Sequence, residues 1–325
     1  MRSRPSHRYS NLDGEANVMG IRLTRVAPSS LLSMMVAATL GASACADTDH
    51  TNVGLEPTAT LAQEAGGFPR TNEEVNVART GPYKFARYTD GLNNRAYNSA
   101  VMYYPTDAAP PFAAVAFSPG FTATKEQYQD FLGPLLASHG IAIMLTTPTS
   151  TGDFPQQRAD DLRAALEVIK GENTRAGSPL QGKIATDRLC ITGHSMGGGG
   201  TLWAANALGT QIKCAVPLQP WQPGQAFSQV KAPTLFIAAQ RDTVAGNAQN
   251  SLVHYRSIPA SVPKYYVEFA GASHFLTSNS RGSNYDGQSR YMIAFYKAYL
   301  EDDKRYLEIL NAPKPAEVST YTKSP

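Results

Sequence analysis

Leu189-Cys190-Ile191-Thr192-Gly193-His194-Ser195-Met196-Gly197-Gly198-Gly199-Gly200 decides how the rest of the chain is read. Leu189 to Thr192 is an apolar, β-prone run; Gly193-x-Ser195-x-Gly197 follows it, and four small residues from Gly197 to Gly200 open a helix. Strand, sharp turn and helix in that order form a nucleophile elbow, which lifts a serine hydroxyl clear of the backbone. Flanking glycines let such a turn close without side-chain collision. Ser195 is the candidate nucleophile. Taken alone, the five residues also fit a glycine-rich turn, so the partners decide.

An activated serine needs a base, and the base needs an acid that fixes its tautomer, in the chain order Ser, Asp, His when the elbow is of this type. Pro233 to Ala239 is a short apolar strand ending in Gln240-Arg241-Asp242. Lys264 to Phe269 is the next β-rich run, and Ala270-Gly271-Ala272-Ser273-His274 leaves it. Asp242 and His274 are therefore the expected acid and base. The rival His254 stands in a helix-like run, Asn250 to Arg256, and reads as a surface side chain.

Acyl transfer also needs two backbone N–H groups aimed at the developing oxyanion. One is expected from Met196, directly after the serine. The other is expected from Phe121, where the strand Phe112 to Phe117 runs into Ser118-Pro119-Gly120-Phe121-Thr122. By spacing alone, Phe121 reads equally well as a core phenylalanine after a turn.

From about Arg79 to about Leu310 the chain resembles the bacterial cutinase and PET-hydrolase family of α/β-hydrolases. The matching pieces are Tyr103-Tyr104-Pro105-Thr106, Ser118 to Thr122, Ala137-Ser138-His139-Gly140, Gly193 to Gly200, Pro217-Leu218-Gln219-Pro220-Trp221, Arg241-Asp242-Thr243 and Gly271-Ala272-Ser273-His274-Phe275. The resemblance implies Ser195, Asp242 and His274 as triad and Phe121 and Met196 as oxyanion donors. It implies Trp221 as an aromatic wall, with Phe121, His194 and Val244 beside it in substrate binding. His194 and Phe275 match the general cutinase type, where the PET-specialised branch has Trp and Ser. Phe121 replaces the family's usual Tyr, the family's C-terminal disulfide is absent, and the loop Leu276 to Gln288 looks longer than usual.

The N-terminal 45 residues read as an export signal, not as part of the fold. Val26 to Leu40 is apolar, follows Arg22 and Arg25, and ends in small residues through Ala46; it is too short for a permanent membrane span. Met19 gives a leader of ordinary length. Cleavage fits after Ala44 or Ala46, and Ala42-Ser43-Ala44-Cys45 also resembles a lipoprotein box, so release and a lipid anchor at Cys45 both stand. Residues 46–68 read as a polar linker and 69–311 as the catalytic domain. Residues 1–45 hold five Arg and two acidic residues, so the remainder has 24 basic and 24 acidic side chains. The formal charge of +3 therefore carries no argument for nucleic acid.

The coarse pattern is α/β, a mostly parallel twisted sheet with helices on both faces. Tyr83 to Asp90 and Tyr97 to Tyr104 look like antiparallel opening strands. Stripes at i, i+3, i+4 spacing (Tyr128, Phe131, Leu132, Leu135, Leu136; Leu162, Ala165, Leu166, Ile169; Met292, Phe295, Tyr296, Tyr299, Leu300) read as core faces of helices. Cys190 and Cys214 fall on neighbouring parallel strands and are expected as buried thiols, a disulfide being the minority reading. Residues 312–325, with three prolines and no apolar periodicity, are expected as a loose tail. The short connection after Leu218 leaves no room for a lid domain.

The expected protein is thus an exported serine carboxylic-ester hydrolase, cutinase, lipase or polyesterase-like, with no cofactor and no metal, acting as a monomer through an acyl-enzyme on aliphatic or aromatic esters and polyesters. An amidase or peptidase on the same triad and a non-catalytic surface lipoprotein are the alternatives.

Overall fold

The computed structural model of the protein describes residues 80–278 and 284–324. The expected leader, linker and Cys45 lie outside the described residues. Nine strands form one sheet in the order β1-β2-β4-β3-β5-β6-β7-β8-β9. β1 (Phe85–Tyr88), β2 (Tyr97–Pro105) and β4 (Ala142–Pro148) pair antiparallel in turn. From β4 through β3 (Phe112–Ser118), β5 (Ile184–His194), β6 (Cys214–Leu218) and β7 (Thr234–Ala239) to β8 (Lys264–Phe269) every pairing is parallel. This is the mostly parallel, helix-covered sheet of an α/β-hydrolase.

Parallel strands covered on both faces read as unbroken apolar runs, and all seven residues of β3, Phe-Ala-Ala-Val-Ala-Phe-Ser, are buried. The period of two splits them between faces. Val115 and Phe117 join the cluster under α1 (Gln129–Ser138) and α5 (Tyr285–Phe295), while Ala114 and Ala116 join the one under α2 (Pro155–Glu172) and α3 (Met196–Leu208). The three sequence stripes are core as expected: Phe131 to Leu136 on α1, Leu162 to Ile169 on α2, and Met292 to Leu300 along α5 and the π-helical turn Tyr296–Leu300 that continues it.

Three expectations are corrected. Residues 318–324 are no loose tail: Val318–Ser324 forms β9, antiparallel to β8 and closing that edge of the sheet. Edge pairing is satisfied through the backbone, so it needs no continuous apolar run. Cys190 and Cys214 are joined as a disulfide. They are direct register partners across β5 and β6, which brings their Cα atoms to 4.8 Å, inside the bridging range. His254, on α4 (Ser251–Ser257), is fully buried instead of lying on the surface; its Nε2–H donates to the Gln222 carbonyl at 2.7 Å and its ring meets Phe227.

Candidate functional site

The C-terminal edge of the parallel strands collects the three residues singled out by sequence, where open α/β sheets carry their sites. β5 ends at His194 and α3 begins at Met196, so Ser195 is the whole turn. Its φ is +56°, a left-handed conformation costly for any residue but glycine and found at functional positions. The turn is clamped at both ends. Ser195 N–H donates to the Leu218 carbonyl at 3.0 Å, and its own carbonyl accepts from Gly199 and Trp221 N–H.

The glycines are matters of close approach. A Cβ on Gly193 would strike the Gly197 carbonyl, and one on Gly197 would strike that of Ser118. Further along α3, a Cβ on Gly198 would sit 2.8 Å from Pro220 Cα, and one on Gly199 would strike the Trp221 carbonyl. The small-residue run lets α3 seat directly against the loops that carry Phe121 and Trp221.

Asp242 lies three residues past β7 and His274 five past β8. His274 Nδ1 donates to Asp242 Oδ2 at 2.8 Å, and both side chains are buried. Asp242 Oδ1 accepts from Val244 N–H at 3.0 Å and Ala245 N–H at 2.7 Å. Burial alone would raise the Asp242 pKa, but the His274 bond, the His274 charge and the two amides hold it below the ordinary carboxylate value. The Asp242 carboxylate is fixed in place and ionised. Among the described hydrogen bonds none joins Ser195 Oγ to His274 Nε2, a contact that in free enzymes often tightens only with substrate present.

Met196 is the first residue of α3, so its N–H is one of the four at a helix start that the helix itself leaves unpaired. Phe121 N–H has no protein acceptor among the described residues. Gly120, its neighbour, backs onto the Ser195 turn: a Cβ there would lie 3.1 Å from Ser195 Cβ and 3.2 Å from His194 Nδ1.

Of the five exposed large apolar side chains among the described residues, Phe121, Phe154, Val244 and Phe275 belong to the segments that carry or adjoin these groups. Phe154 faces Trp221 with ring centroids 6.3 Å apart, and Phe275 lies edge-on to His274 at 5.6 Å. Sequence reasoning missed Phe154, whose only signal is its place just before Pro155 at the start of α2. It also missed Gln219, which is buried at φ +39° and binds the Ile237 carbonyl through both backbone and side-chain N–H while accepting from Thr277. The connection through residues 219–233 contains no helix.

His194, expected among substrate contacts, is corrected to a buried place beneath Ser195, between Tyr128 and the His274 backbone. It is 3 % exposed, with Nε2 2.7 Å from the His274 carbonyl and Nδ1 2.8 Å from the Tyr128 hydroxyl. No ring nitrogen is left for a substrate.

His194 and His254 are both neutral in the fold. Burial, reinforced by the charge of His274, pushes His194 down to about 3, and burial pushes His254 down to about 4. Buried His254 Nδ1 has no partner, so a proton there would be an uncompensated charge. An unfolded imidazole titrates at about 6.5, so below that pH the unfolded chain takes up protons that the folded one refuses. The contribution of these two histidines is therefore full above about pH 6.5 and is lost as pH falls toward 4. Asp161 works oppositely, since burial raises it to about 7 against the pull of Arg158. His254→Gln, whose amide can keep the bond to Gln222, is expected to flatten the fall of Tm between pH 6.5 and 4.5. Parallel Tm curves for the two proteins would show that His254 titrates normally.

A family model described as PET hydrolase-like matches residues 58–324 of the chain. A protein named cutinase from Thermobifida fusca (strain YX) is 33% identical over 300 residues, covering 92% of this chain and 95% of that protein. Cutinase 1 of Thermobifida cellulosilytica is 35% identical over 264 residues, 81% of this chain and 92% of its own. A bis(hydroxyethyl) terephthalate hydrolase from Streptomyces coelicolor (strain ATCC BAA-471 / A3(2) / M145) is 34% identical over 251 residues, 76% and 77% of the two chains.

Proposed function

The chain belongs to the PET hydrolase-like family and is a carboxylic-ester hydrolase, and from that premise we propose that it cleaves esters through an acyl-enzyme on Ser195. The observation that carries the reading is the His274–Asp242 pair at 2.8 Å, set at two strand ends beside an elbow that presents Ser195. His274 Nδ1 is committed to Asp242, which leaves Nε2 as the base. His274 Nε2 takes the Ser195 proton as Oγ attacks the ester carbonyl. Met196 and Phe121 N–H groups hold the oxyanion, and His274 returns the proton to the departing alcohol. Water, activated by the same Nε2, then releases the acid.

The substrate class is an ester carried on a chain or surface. Phe121, Phe154, Val244 and Phe275 are exposed, with Phe154 facing Trp221 and Phe275 beside His274, and exposed apolar side chains on the loops around a site mark a binding surface. Names such as cutinase and bis(hydroxyethyl) terephthalate hydrolase among its relatives support polyester, aliphatic or aromatic. Export is proposed from Arg22, Arg25 and the apolar run ending at Ala46, with a cut near Cys45; N-terminal sequencing of the secreted protein reads the site.

Initial rates over a p-nitrophenyl ester chain-length series, and release from an aliphatic polyester film, test the function. Hyperbolic turnover of dissolved esters together with release from the film is expected. Trp221→Ala should reduce turnover of bulky or aromatic acyl groups about tenfold more than that of acetyl esters, in line with the value of a hydrophobic pocket contact. Equal losses on all substrates would make Trp221 a support of the elbow alone.

A further inference from the structure

In a trans peptide the carbonyl of one residue and the N–H of the next point in opposite directions, so whatever grips the Gly120 carbonyl also aims the Phe121 N–H. Arg158, on α2, is wholly buried, and its Nη2 donates to the Gly120 carbonyl at 3.3 Å and to the Thr151 carbonyl at 2.9 Å. Thr122 N–H meets the same Thr151 carbonyl at 2.8 Å. Thr122 itself is left-handed at φ +58°. A strained turn is thus pinned by one buried guanidinium from the core side.

The other polar group of Gly120 is held as well. Its N–H lies 3.4 Å from the Tyr128 hydroxyl oxygen. A carbonyl only accepts, so His194 Nε2 carries the proton that goes to His274 C=O. The imidazole is neutral, so Nδ1 has no hydrogen and accepts the Tyr128 proton at 2.8 Å. The chain of donation runs from Gly120 N–H to Tyr128, to His194, to the backbone of His274. It joins the strand end carrying one oxyanion donor to the strand end carrying the base.

We propose that Tyr128 and Arg158 are positioning residues that hold the Gly120–Phe121 peptide for the oxyanion, with His194 tying that hold to the backbone of His274. The inference rests on the acyl-enzyme reading above. Packing does not require the hydroxyl: the Tyr128 ring meets Phe117 with centroids 4.8 Å apart, and a phenylalanine would keep that contact. Sequence showed Tyr128 only as one member of a core stripe.

The test is Tyr128→Phe in the otherwise intact enzyme, with kcat and KM on a soluble p-nitrophenyl ester and Ki for an alkyl trifluoromethyl ketone. The hemiketal that such a ketone forms on Ser195 places an oxyanion where the two N–H groups meet. Outright removal of an oxyanion donor costs about 10²–10³ in kcat, so a donor left in place but poorly aimed should cost about tenfold. The expected result is a kcat about tenfold lower, KM within about twofold, and Ki about tenfold weaker, with the thermal midpoint recorded alongside. A folded Tyr128→Phe with unchanged kcat and Ki overturns the proposal. So does a rise in KM with Ki unchanged, which belongs to substrate packing. Arg158→Lys keeps the charge but loses the planar fork, and should shift kcat and Ki the same way; it stands in as the reading if Tyr128→Phe does not fold. Failure of the unaltered enzyme to bind the ketone or turn over the ester would instead overturn the acyl-enzyme reading.

Discussion

Replacing Ser195 by alanine is expected to lower ester hydrolysis by about 10³-fold or more while the protein folds and melts as before. In the proposed mechanism the Ser195 hydroxyl is the atom that forms the acyl bond, and alanine removes it. The fold does not depend on it. Ser195 is held by its backbone, through Leu218, Gly199 and Trp221, and alanine keeps the Cβ that already tolerates φ +56°. Rates on purified protein, with an active-site titration to exclude contaminating esterase, check the prediction. Retention of most of the activity would remove Ser195 from the chemistry.

The fold was legible because parallel strands buried on both faces leave unbroken apolar runs, as at Phe112–Ser118 and Thr234–Ala239, while Lys264–Phe269 stood out as β-rich despite Lys264 and Glu268. The triad candidates were legible because residues just past such strands gather at one edge. What was illegible depends on register and on third dimensions that spacing does not carry. Cys190 and Cys214 meet only because β5 and β6 pair with those two residues directly opposed. Val318–Ser324 is an edge strand held by backbone pairing to β8, so its alternation of Val, Thr and Ser with Tyr and Lys gave little signal. The stripe reading of α1 placed the Tyr128 ring in the core correctly and was blind to its hydroxyl. Buried polar atoms are chosen by their partners, and the partners of Tyr128 lie 8 and 66 residues away.

Asp242→Asn is expected to be nearly as damaging, with kcat lowered by about 10³–10⁴ and KM little changed. The size of the loss depends on which way the amide faces. Asp242 Oδ1 accepts two backbone N–H groups, from Val244 and Ala245, while Oδ2 accepts from His274. If the asparagine NH₂ faced the two amides, three donors would be opposed in a buried site, and each lost bond there costs about 1–3 kcal/mol. The amide oxygen therefore stays with Val244 and Ala245, and the NH₂ turns to His274. Nδ1 must then accept, the ring proton moves to Nε2, and the base presents a proton to Ser195 where it should take one. The lost charge adds to this, because the imidazolium formed during attack no longer has a carboxylate beside it. Asp242→Ala separates the two effects: it removes charge and orientation but imposes no tautomer, so its loss should not exceed that of asparagine. Asparagine retaining more than about a tenth of kcat would mean that His274 Nδ1 does not depend on Asp242 for its proton, and the acid would have to be sought elsewhere at the strand ends.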